Sequence, residues 1–252
     1  MGALISTWTR LTIGFFVFSF ATTVCMLVCA LLLPFRTARI KTCNYYGKFA
    51  GRFVMWISGC PLTIEGEEHL DASRPAIYVS NHTSLMDAFM AMFLSPVGTV
   101  GVVKKQILYY PFFGQLYFLS GHLRIDRANR EAAKRSMKEL SDFVSENQLS
   151  IYVWPEGTRS RSGRLLPFKK GVYHMAKQTG LPIVPIVIEG AHRAWVKNSM
   201  RIARVPIKIT VLPAIDTSSW DDDHIDEQLE SVRSHYVDVL PDDQQPETAA
   251  AA

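Results

Sequence analysis

The chain has 252 residues, with 27 Lys+Arg against 23 Asp+Glu and a formal net charge of +4. That length holds one α/β domain with a full core plus an appendage. The charge is unevenly spread: residues 216–252 carry eleven acids against Arg233 alone, which leaves 26 basic and 12 acidic side chains in residues 1–215, a balance of +14. So basic a body suits an anionic membrane surface or phosphorylated ligands; no groove-reading module accompanies it, and nucleic acid is not expected as a partner.

The cysteines are Cys25, Cys29, Cys43 and Cys60. None forms a C-x-x-C pair, and no Cys/His cluster has zinc spacing, so neither a disulfide framework nor a zinc module is expected. Cys25 and Cys29 share a helix face and read as packing residues.

Residues 11–33 contain no charged side chain. As a helix of about 35 Å this stretch can cross the ~30 Å hydrocarbon layer. It is too long for a secretory signal, and no small-residue cleavage site follows. Pro34 ends it, and Arg36, Arg39, Lys41, Lys48 and Arg52 come next, which keeps the C-terminal side in the cytoplasm if the segment spans. In residues 44–60, Tyr45, Phe49, Phe53, Trp56 and Ile57 recur at helical spacing. They fit either an amphipathic helix in the headgroup layer or an ordinary core-facing helix. Residues 1–60 are therefore expected to be membrane-anchoring helices.

Residues 61–240 read as an α/β domain. Candidate strands lie at 62–64, 76–80, 99–103, 121–125, 150–153, 183–188 and 207–212, and the clearest helices at 129–146 and 171–178. Strands alternating with helices predict a mixed, largely parallel sheet flanked by helices. Pro185 denies one ladder bond and predicts an edge, a bulge or a ligand wall. Residues 241–252, acidic and ending in four alanines, are expected to be a disordered tail.

Four stretches carry candidate chemistry. Asn81-His82-Thr83-Ser84-Leu85-Met86-Asp87 follows the strand at 76–80 and enters a helix. Four residues allow the turn to fold back and bring the Asp87 carboxylate to the His82 ring, where it would fix the tautomer and stabilise an imidazolium. A capped helix, with Asn81, Thr83 or Ser84 as N-cap, fits the same residues. Gly121 to Arg127 is a strand that ends in Asp126-Arg127, and Arg127 is placed to reach an anion or to close a strand-end ion pair. Trp154-Pro155-Glu156-Gly157-Thr158-Arg159-Ser160 follows a buried strand. In it Glu156 can accept a substrate hydroxyl or hold an arginine, Gly157 lets the backbone approach closely, and Arg159 can grip a phosphate with two donors. Leu181 to Val187 is an apolar strand with two prolines.

Together, in this order and spacing, these stretches resemble the 1-acyl-sn-glycerol-3-phosphate acyltransferases of the glycerolipid acyltransferase family. Asn81-His82 through Asp87 looks like the family's His-x4-Asp motif, Gly121 to Arg127 its second motif, Pro155 to Ser160 its third and Val184-Pro185-Ile186 its fourth. The match runs from about residue 60 to 215 and includes Lys104-Lys105 and the segment from Pro111 to Gln115. Trp154 departs from the family's more frequent Phe, and Leu123-Arg124 is more polar than its usual pair.

The resemblance implies transfer of a fatty acyl group from acyl-CoA or acyl-carrier protein to the 2-hydroxyl of lysophosphatidate, with no cofactor, no metal and no covalent acyl-enzyme. Under that reading His82 is the base and Asp87 its orienter. Arg159, then Arg127, meets the acceptor phosphate; Glu156, with Gly157 and Thr158 beside it, meets the glycerol part; Lys104 and Lys105 meet phosphates of acceptor or donor. The expected partners are the acyl donor, lysophosphatidate and the membrane lipid surface. The compact size and single membrane segment point to a bacterial inner membrane, with the catalytic domain on the cytoplasmic side. The competing readings are acylation of another lysolipid, a hydrolase using Ser84, and a membrane-anchored lipid-binding module. No G-x-S-x-G elbow supports the hydrolase.

Overall fold

Alternation along single strands sets up two packing faces. In the strand Ile77–Ser80, Ile77 and Val79 point to one side of the sheet and Tyr78 to the other; Ile151 and Val153 oppose Tyr152 in the same way in Ser150–Val153. All four residues of each strand are buried, as expected of a sheet covered on both sides. The computed structural model describes residues 2–109, 113–125, 130–196 and 201–247.

The expected strands form as β1 (Leu62–Glu65), β2 (Ile77–Ser80), β3 (Thr99–Lys104), β4 (Leu123–Ile125), β5 (Ser150–Val153), β6 (Ile183–Glu189) and β7 (Ile207–Val211). They build one seven-stranded sheet in the order β1-β7-β6-β2-β5-β3-β4. From β6 to β4 all pairings are parallel; β7 runs antiparallel to β6, and β1 parallel to β7. The carboxyl ends of β2, β3, β4, β5 and β6 therefore share one sheet edge, where open α/β folds place their ligands.

One face is covered by α5 (Arg130–Asn147), α6 (Gly171–Thr179) and α8 (Ile225–Val237). The other is covered by α2 (Arg36–Ser58), α3 (Met86–Leu94) and α7 (Ala191–Ala194). A further helix, α4 (Phe113–Ser120), packs beside α1 (Gly2–Leu31) and α2. Helices α4 and α8 were not expected. The stripe of α8, Leu229, Val232 and Tyr236, is present in the sequence but lies inside the acid-rich stretch that masks it. Tyr236 is fully buried, and its hydroxyl donates to the Val79 carbonyl.

Helix α2 has two apolar sides. Gly47 and Gly51, one turn apart, bring its backbone against α3, where a Cβ at either position would collide with the carbonyls of Met92 and Phe89. Asn44 docks the same helix on the sheet: its side chain accepts from the N–H groups of Gly98 (2.8 Å) and Thr99 (3.0 Å) and donates to the Thr99 carbonyl. Tyr45, Phe49 and Trp56 face outward and are exposed. Thus α2 serves the core on one side, as the core-facing reading of residues 44–60 expects, and leaves aromatic surface on the other. Helix α1 packs on α2, with Thr22 and Tyr46 hydroxyls 2.6 Å apart. Its span Thr12–Leu31 has a mean hydropathy of 2.2, and Phe15, Phe16, Phe20, Leu27 and Leu31 are exposed.

Two expectations are corrected. Of the edge, bulge or ligand wall expected at Pro185, the edge is excluded, because β6 is an interior strand; Pro185 sits one step beyond the last β6–β7 register pair, Ile186 with Val211, and its carbonyl accepts from Leu212. A missing N–H costs the ladder little at that point. Residues 241–247 are also not a loose tail. The Gln244 side chain is fully buried, its Oε1 accepting from the Gly190 N–H (2.7 Å) and its backbone carbonyl from the Leu165 N–H (2.8 Å). Residues 248–252 lie outside the described residues. Gln244→Ala strands the Gly190 donor at a cost of about 1–3 kcal/mol, and thermal unfolding should show the transition lowered by about 2–10 °C.

Candidate active site

The loop after β2 turns immediately into α3, and the short return is organised by one carboxylate. Asp87, in the first turn of α3 and completely buried, points back along the chain. Its Oδ2 accepts from the N–H groups of Thr83 (2.6 Å) and Ser84 (2.7 Å) and lies 2.9 Å from His82 Nδ1. Three donors converging on one oxygen hold the negative charge in place and fix the ring proton on Nδ1. Nε2 is thereby left as the acceptor, and no described residue hydrogen-bonds it. The imidazole keeps 17% of its side-chain surface exposed, while Asp87 keeps none. Such a pair can take a proton from a hydroxyl at Nε2 and stabilise the resulting imidazolium. The helix cap is Leu85, not Asn81, Thr83 or Ser84. Asn81 instead reaches across to β6, exchanging 2.8 Å hydrogen bonds with both the N–H and the carbonyl of Ile188.

The loop after β5 embraces His82 from the neighbouring strand. Trp154 stacks on the imidazole with ring centroids 4.5 Å apart and planes 20° apart. The Glu156 carboxylate accepts from the His82 N–H through Oε1 and from the Leu166 N–H through Oε2. The Ser160 N–H donates to the His82 carbonyl at 2.8 Å. Both backbone groups of the histidine are thus fixed by one loop.

This corrects the reading of Glu156. It is 1% exposed, and its two oxygens are spent on backbone donors rather than on a substrate hydroxyl or an arginine. Burial pushes its carboxyl up to about 8, against the pull of the two N–H groups.

The other expected residues fall as follows. Gly157 adopts φ 71°, closing the turn with its N–H on the Trp154 carbonyl, a left-handed position that favours glycine. Thr158 is exposed, and Arg159, half-buried, immediately precedes Ser160. Lys104 ends β3 and Lys105 follows it, both exposed; the parallel sheet places them on the same edge as His82. Arg127 lies outside the described residues.

Ser84 is fully buried, with its hydroxyl donating to the Trp195 carbonyl at 2.8 Å, so it is a structural tie and not a nucleophile. From the sequence Trp154 had no role beyond its departure from Phe, Asn81 only that of a helix cap and Ser160 none, though all lie within the quoted motifs. Below the 154–158 loop opens a largely apolar cavity of about 460 Å³, lined among others by Val102, Ile125, Met137, Val172 and Met175.

A His–Asp pair on the carboxyl edge of a parallel sheet, beside an apolar cavity, defines an enzyme site able to take a proton from a hydroxyl. The model of the acyltransferase family matches residues 61–189. A 1-acyl-sn-glycerol-3-phosphate acyltransferase of Limnanthes douglasii is 50% identical over 220 residues, which cover 87% of this chain and 78% of that protein. One of Haemophilus influenzae is 34% identical over 80% of this chain and 84% of that protein. Among solved structures, the 1-acyl-sn-glycerophosphate (LPA) acyltransferase PlsC of Thermotoga maritima shares the fold, with a TM-score of 0.66 and 23% identity over 92% of this chain and 96% of that one. The chain belongs to the acyltransferase family and is an acyltransferase enzyme.

Two substitutions separate charge from scaffold. Asp87→Asn keeps an oxygen for the turn donors but removes the negative charge. It should lower turnover by about 10²–10⁴-fold with an unfolding temperature close to wild type, as read by steady-state kinetics beside thermal unfolding. Glu156, raised from 4.5 to about 8 in the folded state, contributes stability that is full below pH 4.5 and is lost as pH rises through about 8. Glu156→Gln should remove that component, so the difference between wild-type and variant unfolding temperatures should shift against the wild type across that interval. A pH-independent difference would contradict the assignment.

Proposed function

We propose that the enzyme transfers a fatty acyl group from a thioester donor, acyl-CoA or acyl-carrier protein, to the 2-hydroxyl of lysophosphatidate, giving phosphatidate. The observation that carries this reading is the His82–Asp87 pair, clamped on its backbone by the Glu156–Ser160 loop. The activity for which the relatives are named supplies the acceptor.

A thioester is already activated, so the protein's tasks are deprotonation, alignment and charge stabilisation. His82 Nε2 takes the hydroxyl proton as the oxygen attacks the thioester carbonyl. Asp87 stabilises the imidazolium, which then returns the proton to the departing thiolate. No acyl-enzyme is needed, and the buried, bonded Ser84 hydroxyl agrees with that. Arg159, on the loop that holds His82, binds the acceptor phosphate, with Arg127 assisting; Lys104 and Lys105 meet phosphates of the acceptor or of the donor. Gly157 and Thr158 shape the acceptor side of the loop, while Glu156 positions His82 and is not itself a substrate contact. The apolar cavity beneath the loop suits a fatty chain.

The outward aromatic and aliphatic surface of α1 and α2 holds the enzyme at a lipid surface, where acceptor and product reside. The arginines and lysines after Leu31 favour a cytoplasmic catalytic domain. The relatives come from plants, bacteria and yeast, so likeness does not single out the bacterial membrane that chain size pointed to.

The deciding measurement is thiol release by detergent-purified protein, with acyl-CoA and acyl-carrier protein as parallel donors. Release should require lysophosphatidate, yield phosphatidate and fall about 10²–10⁴-fold in His82→Ala. Wild-type turnover by that variant would sink the mechanism. Arg159→Ala should raise KM for lysophosphatidate by about 10–100-fold, the loss expected for charged hydrogen bonds of ~1.5–3 kcal/mol, and should leave KM for the donor unchanged.

A further inference from the structure

Three of the four cysteines meet where the sequence gave no cluster. Cys25 and Cys29 lie one turn apart on α1, and Cys43 faces them from α2. Their sulfur atoms all lie within 4.8 Å of one another, with Cys43 Sγ 3.5 Å from that of Cys29 and 4.0 Å from that of Cys25. All three side chains are buried. Cys60 stands apart, its thiol directed at the Ala203 carbonyl.

Three sulfurs bound to one metal at about 2.3 Å each stand about 3.8–4.0 Å apart. The spacing here brackets that value, so no helix has to move far to close the set. Thiolate ligands select soft and borderline cations over calcium or magnesium.

The surrounding charge fits as well. Three thiolates around a divalent cation leave one net negative charge. Arg39 stands one turn before Cys43 on α2; its Nη1 donates to the Leu119 carbonyl, and its Nε is buried without a hydrogen-bond partner. Its guanidinium supplies the compensating positive charge.

We propose that Cys25, Cys29 and Cys43 bind one thiophilic divalent cation of the zinc–cadmium class, clipping α1 to α2. Binding releases three thiol protons, one per sulfur, and forms three metal–sulfur bonds without any change of oxidation state. The clip closes the short connection between Cys29 and Cys43, fixing the apolar hairpin against the catalytic domain. The site is independent of the acyl-transfer reading, because none of its residues contacts the His82 loop.

The test uses the full chain in detergent, reduced and freed of metal, titrated with cadmium. Thiolate-to-cadmium absorbance should rise to saturation at one equivalent, bleach when a competing chelator is added, and bind more tightly as pH rises. Cadmium should also raise the unfolding temperature. Cys29→Ser and Cys43→Ser should lose the saturable signal, whereas Cys60→Ser should keep it, and basal thiol-release activity should stay unchanged in all three. If Cys43→Ser fails to fold, Cys43→Ala and Cys25→Ala take its place, since alanine keeps the site apolar. No saturable absorbance in the wild type, or a signal that survives in Cys29→Ser and Cys43→Ser, would overturn the proposal and leave three packed thiols only.

Discussion

His82 is held by its backbone as much as by its side chain, and a buried carboxyl group, that of Glu156, holds its N–H. A strand-to-helix turn has few internal hydrogen bonds, so His82 would otherwise sit on a mobile link. Glu156 takes its N–H, Ser160 takes its carbonyl, and Trp154 lies flat against its ring. Burying an ionisable group to do this is costly, which is why the Glu156 carboxyl is pushed up to about 8. An amide could not replace it without turning a second donor toward one of the two N–H groups. The motif around His82 and the motif around Glu156 are therefore one mechanical unit, although 74 residues separate the pair.

That unit depends on the parallel pairing of β2 with β5. In register, Val79 lies beside Val153, so both strands end together and both following loops leave from the same sheet edge. An antiparallel pair would send the second loop to the far edge and leave His82 unsupported. Asn81 extends the tie to β6, where Ile188 exchanges both backbone hydrogen bonds with its amide. The three central strands thus terminate in one cross-linked cluster.

Much of this was legible in the sequence, for identifiable reasons. The strands are short β-branched or aromatic runs bounded by turn residues, and β2 and β5, buried on both faces, read as such without ambiguity. The His–Asp spacing announced a fold-back turn, and Asp87 closes it. What escaped the reading depends on partners distant in sequence. Glu156 looks like a ligand group until Leu166 and His82 are found at its two oxygens. Gln244 sits in a polar, acidic segment whose composition suggests disorder, and only the vacant N–H of Gly190 explains why it is buried. Cys43 is fourteen residues from Cys29, a separation that means nothing until α1 and α2 are seen to run back along each other.

The same logic explains how the apolar α1–α2 hairpin and the His82 edge share one molecule without a flexible joint. Gly47 and Gly51 let α2 settle on α3, and α3 is the helix that carries Asp87. Asn44 pins α2 to the start of β3, the strand whose far end presents Lys104. The outward face of α2, with Tyr45, Phe49 and Trp56, is therefore rigidly referenced to both the His–Asp pair and the basic edge. On the proposed reading, a lipid surface that seated those aromatics would set the distance and orientation of the active site at the same time. A flexible linker would pay the ordering entropy anew at every encounter; the packed hairpin meets it once, on folding.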